Sequence, residues 1–228
     1  MRELIFLDTE STGNEPGKDR LCQVCYRTTA DTKVGLFKPP IPISVKAMSI
    51  THITNKQVED KEAFSKSEMK KELQELLKEG VLVAHTALFD IAMLKAEGVE
   101  VPRFIDTLRV ARYLDADNKI PEFNLQFLRY YLDLDVPGAA HDAEGDVNVL
   151  EALFKRLHSK LPDIEKLIEI SARPTLFKNF IFGKYKGQAI EEVIKTDRRY
   201  MEWLLSQMTL TGSDTDEDWI FTLKHYLV

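Results

Sequence analysis

The apolar run Leu4 to Leu7 ends directly on Asp8-Thr-Glu10, so a segment that must be buried is fused to two carboxylates that need water or a cation. The run has strand length, and the acidic and small residues that follow it through Gly13 are how a buried strand ends at a polar rim. Arg20 to Thr29 and Thr32 to Lys38 add two strand patterns, which predicts an antiparallel meander. Pro39-Pro40-Ile-Pro42 then forces an extended crossing. Thr54 with Gln57 and Ser65 with Glu68 have capping-box spacing, the second before a strongly helical Glu68 to Glu79 closed by Gly80. Val81 to His85 is a further apolar run of strand length. The pattern continues with a helix over Ala87 to Ala96 ended by Gly98, a short strand near Phe104, helices from Thr107 and from Asn124, and a last one from Asp142 to His158. Strands first, then alternating helix and strand, predict an α/β fold in which helices flank a mixed sheet.

The pattern changes after His158. We expect one domain over 1–160, a connector over 161–175 holding one short amphipathic helix between Pro162 and Pro174, and a small, mainly helical module over 176–228. The chain has 228 residues, with 31 Lys and Arg against 37 Asp and Glu, and its net charge of -6 argues against coating nucleic acid through bulk basicity. A local site that recruits cations can still take phosphate. From Arg173 to Gln207 seven basic residues face four acidic ones, a net of +3. There the Gly-flanked Lys184-Tyr185-Lys186 either lays an aromatic face and two cations along a nucleic-acid strand or is an ordinary charged turn. The opening residues fit neither a signal peptide nor a membrane span, so a cytoplasmic setting without a membrane partner is expected.

Cys22 and Cys25 form a CxxC, which suggests a redox pair or half a zinc site. No other cysteine exists to complete a zinc ribbon. On a strand, residues three apart point to opposite faces, so the plainer reading is two small apolar strand residues.

The carboxylates carry the chemistry. In extended backbone Asp8 and Glu10 leave the same face, although an Asp-x-Glu alone is most often solvated. Asp90 lies in the otherwise apolar Ala-Leu-Phe-Asp-Ile-Ala-Met-Leu, where an ionised group must be paired, coordinated or at the helix margin. Asp146 sits on a helix whose Val147, Leu150 and Leu153 look core-facing. His141, five residues earlier, can address the same site only from the loop before that helix, with Asp142 as cap. Together, four carboxylates at the ends of separate core elements suit two Mg2+ ions, which stabilise the entering and leaving oxygens of a phosphodiester displacement while a histidine deprotonates water.

Asp8-Thr-Glu10-Ser-Thr-Gly, His85-Thr-Ala-Leu-Phe-Asp90 and His141-Asp-Ala-Glu-Gly-Asp146 resemble, in order and spacing, the three motifs of the DEDDh branch of the DnaQ-like 3'-5' exonucleases. The stretch Pro42 to Thr54 is similar to the segment between that family's first two motifs. Arg173-Pro-Thr-Leu, Phe182 to Gly187, Tyr200 to Leu205 and Thr222 to Leu227 are similar to the C-terminal region of the bacterial exodeoxyribonuclease X group. The resemblance implies an RNase H-like fold, dependence on two Mg2+ ions with Mn2+ as an alternative, and release of nucleoside 5'-monophosphates from DNA with a free 3' end. It implies that Asp8, Glu10, Asp90 and Asp146 hold the metals and that His141 is the general base. Thr9, Ser11 and Thr12 would lie against the terminal nucleotide, with His85 and Phe89 as further substrate contacts. Two positions depart from the family: Thr86 stands where it usually has Asn, and Thr51 precedes His52 where its histidine is one residue earlier, so no substrate contact is carried over at His52.

Two classes of function compete. A non-catalytic nucleic-acid-binding module predicts loss of at least one carboxylate or of His141, and none is lost. Within the enzyme class the rivals are a proofreading subunit of a DNA polymerase and an RNA-trimming exonuclease, since no residue identifies a contact to the 2'-OH. The sequence identifies no protein partner.

Overall fold

Along Leu4–Ser11 (β1), the side chains alternate between two separate cores. Phe6 joins one cluster and Ile5 and Leu7 the other, so Asp8 and Glu10 continue the Phe6 face and Thr9 the opposite one. The remaining strands are Leu21–Arg27 (β2), Thr32–Leu36 (β3), Val81–Ala84 (β4) and Phe104–Asp106 (β5). They form a sheet of order β3-β2-β1-β4-β5, antiparallel over β1 to β3 and parallel from β1 through β4 to β5. The computed structural model describes residues 2–115, 119–137, 143–211 and 217–228.

The helices before the junction are Val45–Thr51 (α1), Asn55–Val58 (α2), Glu68–Glu79 (α3), Ala87–Ala96 (α4), Thr107–Leu114 (α5), Leu125–Tyr131 (α6), Ala143–Lys160 (α7) and Ile164–Ser171 (α8). On the Phe6 face Cys25, Val83 and Ile105 pack with Val110, Leu128, Val147 and Leu150 of α5, α6 and α7. On the other face Val24, Tyr26 and Leu82 pack with Leu73 and Leu77 of α3 and Met93 and Leu94 of α4. The expected capping box at Thr54 and Gln57 is present with both its bonds. The one expected at Ser65 is not: Ser65 lies in a 3-10 turn over Phe64–Lys66, and Ser67 caps α3 through the Lys70 N–H.

Cys22 and Cys25 are fully buried, form no disulfide and lie in different clusters, as opposite sheet faces require. Burial pushes the Cys22 thiol up to about 12, which makes it inert as a nucleophile.

The chain divides into compact units between Ala172 and Arg173. The stretch read as a connector therefore contributes α8 to the first unit: Leu167 lies in the same cluster as Ile105, and the Ser171 hydroxyl accepts from the Asp106 N–H at 2.8 Å. An amphipathic helix beside an apolar sheet edge gains more by burying its stripe than by spanning solvent.

The second unit, Arg173–Val228, contains Ile190–Thr211 (α9) and Glu217–Leu227 (α10). The helix α9 breaks at Asp197, whose backbone is non-helical. Its carboxylate accepts from the Tyr200 N–H, from Lys184 Nζ at 2.8 Å and from the Tyr185 hydroxyl at 2.7 Å. Lys184 and Tyr185 hold the Asp197 carboxyl down at about 2. Phe177, Phe180, Val193, Met201 and Trp219 form this unit's core. Gly183 has φ of 70°, and a Cβ there would sit 2.8 Å from the Tyr200 hydroxyl, so the turn requires glycine. Among the described residues no helix is long and apolar enough to cross a membrane.

Candidate active site

Three of the sequence-selected carboxylates converge. Asp8, Glu10 and Asp146 each offer an oxygen, and these atoms lie within 4.8 Å of one another. The strand supplies two of them: Asp8 and Glu10 stand opposite Cys25 and Gln23, and a bulge between Glu10 and Ser11 ends the regular register at this point. Helix α7, packed on β1, brings the third in its first turn, where the helix dipole favours an anion. Gln23, the partner of Glu10, has its side-chain carbonyl 3.4 Å from the Ala143 N–H and so meets α7 at its first residue.

Asp146 is 8% exposed and accepts from Gln126 Nε2 at 2.6 Å. Arg129, one turn further along α6, donates to the Gln126 carbonyl at 3.4 Å, which turns the amide so that its NH2 faces the carboxylate. The sequence carried no signal for Gln126, because a polar residue on a short helix is ordinarily a solvated one.

Asp90 lies outside this three-carboxylate group. It is 4% exposed on α4, and its Oδ1 accepts from the Thr9 hydroxyl at 2.7 Å. Burial raises its carboxyl well above the usual range, and the nearby Asp106 charge pushes the same way. Asp106, which the sequence reading passed over, is 2% exposed and is raised by burial as well. It accepts from the Leu108 N–H at 2.9 Å as the cap of α5, and from the Thr86 N–H at 3.0 Å. Aspartate followed by Thr-Leu at a helix start is a capping signal that could have found it.

The side chains expected at the nucleotide are all engaged within the protein. Thr9 is bonded to Asp90; Ser11 donates to the Gly13 carbonyl; and Thr12, 1% exposed, donates to Asp19 and accepts from the Arg20 N–H, closing the turn into β2. Phe89 packs on the cluster of Leu82 and Met93. His85 lies 2.7 Å from the Phe123 carbonyl through Nε2 and 2.9 Å from the Thr107 hydroxyl through Nδ1. A carbonyl only accepts, so Nε2 carries the proton and Nδ1 accepts from Thr107. Burial pushes the imidazole down to about 4 and keeps it neutral. His141 and its expected cap Asp142 lie outside the described residues.

Three carboxylates this close repel one another unless a cation is shared between them. Their donors are hard oxygens, as Mg2+ and Mn2+ require, so the residues fit a divalent metal.

The model of the exonuclease family matches residues 5–154, and that of the exodeoxyribonuclease X-like C-terminal region matches residues 180–207. Exodeoxyribonuclease 10 of Escherichia coli strain K12 is 29% identical over 98% of both chains. DNA polymerase III subunit epsilon of Treponema pallidum is 31% identical over 74% of this chain and 88% of its own length. Among solved structures, exonuclease X in complex with 5' overhanging duplex DNA superposes with a TM-score of 0.61 at 24% identity, over 74% of this chain and 99% of that one. Motif order, the mixed sheet, the carboxylate cluster and a family match over two thirds of the sequence agree: the chain belongs to the exonuclease family, in its DnaQ-like branch, with a C-terminal segment of the exodeoxyribonuclease X type.

Proposed function

We propose that this protein is a divalent-metal-dependent 3'-5' exodeoxyribonuclease that releases nucleoside 5'-monophosphates, with catalysis in the unit ending at Ala172. The observation that carries the reading is the convergence of Asp8 and Glu10 from β1 with Asp146 from α7. These three carboxylates would hold Mg2+, with Mn2+ as an alternative, and Asp90 would join them on release from Thr9. Bound there, divalent cations supply Lewis-acid stabilisation to the charge that builds on the scissile phosphate. Gln126 fixes the direction in which Asp146 presents its oxygens. His141, two positions before the first residue of α7 in the sequence, would accept the proton of the attacking water. DNA is the substrate we favour because a relative matched over 98% of both chains is named an exodeoxyribonuclease; with it we propose a cytoplasmic setting.

The identity to a polymerase epsilon subunit supports a second reading, proofreading as part of a replicative assembly. The C-terminal match favours the first, since it lies beyond the exonuclease match. The deciding assay uses 3'-labelled and 5'-labelled single-stranded DNA, duplex DNA and RNA, each with Mg2+ and with chelator. Labelled mononucleotide released from the 3' label alone, only with metal and faster from DNA than from RNA, is the expected result. Release from the 5' label, or hydrolysis that survives chelation, would overturn it.

A further inference from the structure

In the second unit the indole of Trp203 stands 54% exposed, while Trp219 is 6% exposed and stacks on Phe177 and Phe180. The half of α9 that carries Trp203 already buries Met201 and Leu204, so this ring is on the face turned away from the core. It continues a row. The Tyr200 ring lies 5.7 Å from it at 31°, and Lys184 Nζ lies 4.5 Å from the centre of the Tyr200 ring. Arg199 is one helical turn before Trp203 on the same face. Arg198 is tied to Glu202 and to the Leu227 carbonyl, whereas Arg199 is exposed and has no ion-pair partner among the described residues.

Tyr185, for which the sequence leaves both a nucleic-acid contact and an ordinary charged turn open, is engaged with its neighbours. Its hydroxyl is bonded to Asp197 and its ring meets Tyr200 edge-on at 5.2 Å and packs towards Phe180. The turn builds the support, and the helix carries the open face.

We infer that Trp203, with Tyr200 behind it and Arg199 one turn before it, is a stacking site for single-stranded nucleic acid. A flat, solvent-facing indole offers every base the same π surface, and the guanidinium of Arg199 on the same helix face suits phosphate, which is the pattern that holds single strands without reading sequence. The second unit carries eight basic and eight acidic residues and is neutral, so the chain's net charge of -6 lies wholly in the first unit and charge favours a polyanion on the second. Single strands are specified because a paired base has both faces covered by its neighbours. The inference does not rest on the reading of the carboxylate cluster, because binding is measured with metal chelated.

The experiment uses the full chain in chelator and a labelled oligothymidylate, followed by anisotropy over a salt series. Trp203→Ala is expected to weaken binding about 5- to 100-fold, and Trp203→Phe, which keeps a stacking face, to retain most of it. Arg199→Gln should flatten the slope of log affinity against log salt by about 0.7. In a Trp219→Phe chain, where Trp203 is the sole tryptophan, the oligomer should quench the emission. Superposable isotherms for wild type and Trp203→Ala would overturn the inference, as would emission that stays constant while the oligomer saturates. Equal Trp203 dependence with a blunt duplex would overturn base stacking. Quenching by polyglutamate and not by oligothymidylate would assign the face to an acidic protein segment instead, again against the inference.

Discussion

The Thr86 N–H donates to Asp106 Oδ1 at 3.0 Å, and Thr86 stands with φ of 63° and ψ of 45° immediately before α4. A β-branched residue in left-handed backbone is strained, and the Thr86 side chain itself makes no capping bond to α4. The buried Asp106 carboxyl bonds this turn and the start of α5 at once. Through them β4, β5 and the helix that carries Asp90 are held in one arrangement.

Thr86→Asn should therefore raise stability by about 0.5–1 kcal/mol, because asparagine tolerates the left-handed region that threonine resists. Asp106→Ala should lower it by about 1–3 kcal/mol by stranding two backbone donors. Urea unfolding of both variants checks the pair. Equal stability of Thr86→Asn and wild type would mean the turn carries no strain.

Removing a carboxylate from the cluster should separate catalysis from folding. Asp8→Ala or Asp146→Ala is expected to abolish hydrolysis while leaving the metal-free protein at least as stable, since fewer like charges meet. Mg2+ should raise the melting temperature of the wild type and not of either variant. Melting curves with and without the ion, beside the nuclease assay, give both readouts.

Gln126 touches a proposed ligand without being one. Gln126→Ala should raise the Mg2+ concentration needed for half-maximal rate by about 10- to 100-fold, the usual weight of a group that orients a metal ligand. Gln126→Glu should be worse, because it sets a negative charge where an N–H now meets Asp146. A metal titration of the rate in each variant tests this, and unchanged curves would leave Gln126 a packing residue.

For His141 we expect His141→Ala to slow cleavage by about 10²- to 10⁴-fold with metal binding retained. The wild-type rate should fall as the imidazole protonates at low pH, and this limb should vanish in the variant. Rate profiles against pH for both proteins supply the comparison.

His85 gives a pH dependence of stability instead. Its folded pKa is pushed down by burial to about 4 from 6.5, so between those values the unfolded chain binds a proton that the folded one does not. The resulting stabilisation is complete above about 6.5 and is lost as pH falls through about 4. In His85→Gln the fall in unfolding free energy across that window should be shallower by up to one proton's worth. Asp90 and Asp106 titrate in both proteins and cancel from the difference.

The strand and helix periods, the breaks at Gly80 and Gly98, and the four acidic positions were legible in the sequence, because each depends on residues close along the chain. That locality determined the mixed sheet with flanking helices and the family resemblance. It also explains why Cys22 and Cys25 could be read as strand residues: their separation follows from alternation alone. What the tertiary structure decided is which side chains meet. Asp90 turns to Thr9, 81 positions away, while Asp146 turns to Gln126 on another helix. Asp106 binds the Thr86 turn across two parallel strands, and Ser171 returns to Asp106 from 65 positions on, which draws a helix expected to be a connector into the first unit. Sequence spacing sets the direction of a side chain from its own element; the partner it finds depends on how far apart and at what angle two elements pack, and no local pattern encodes that.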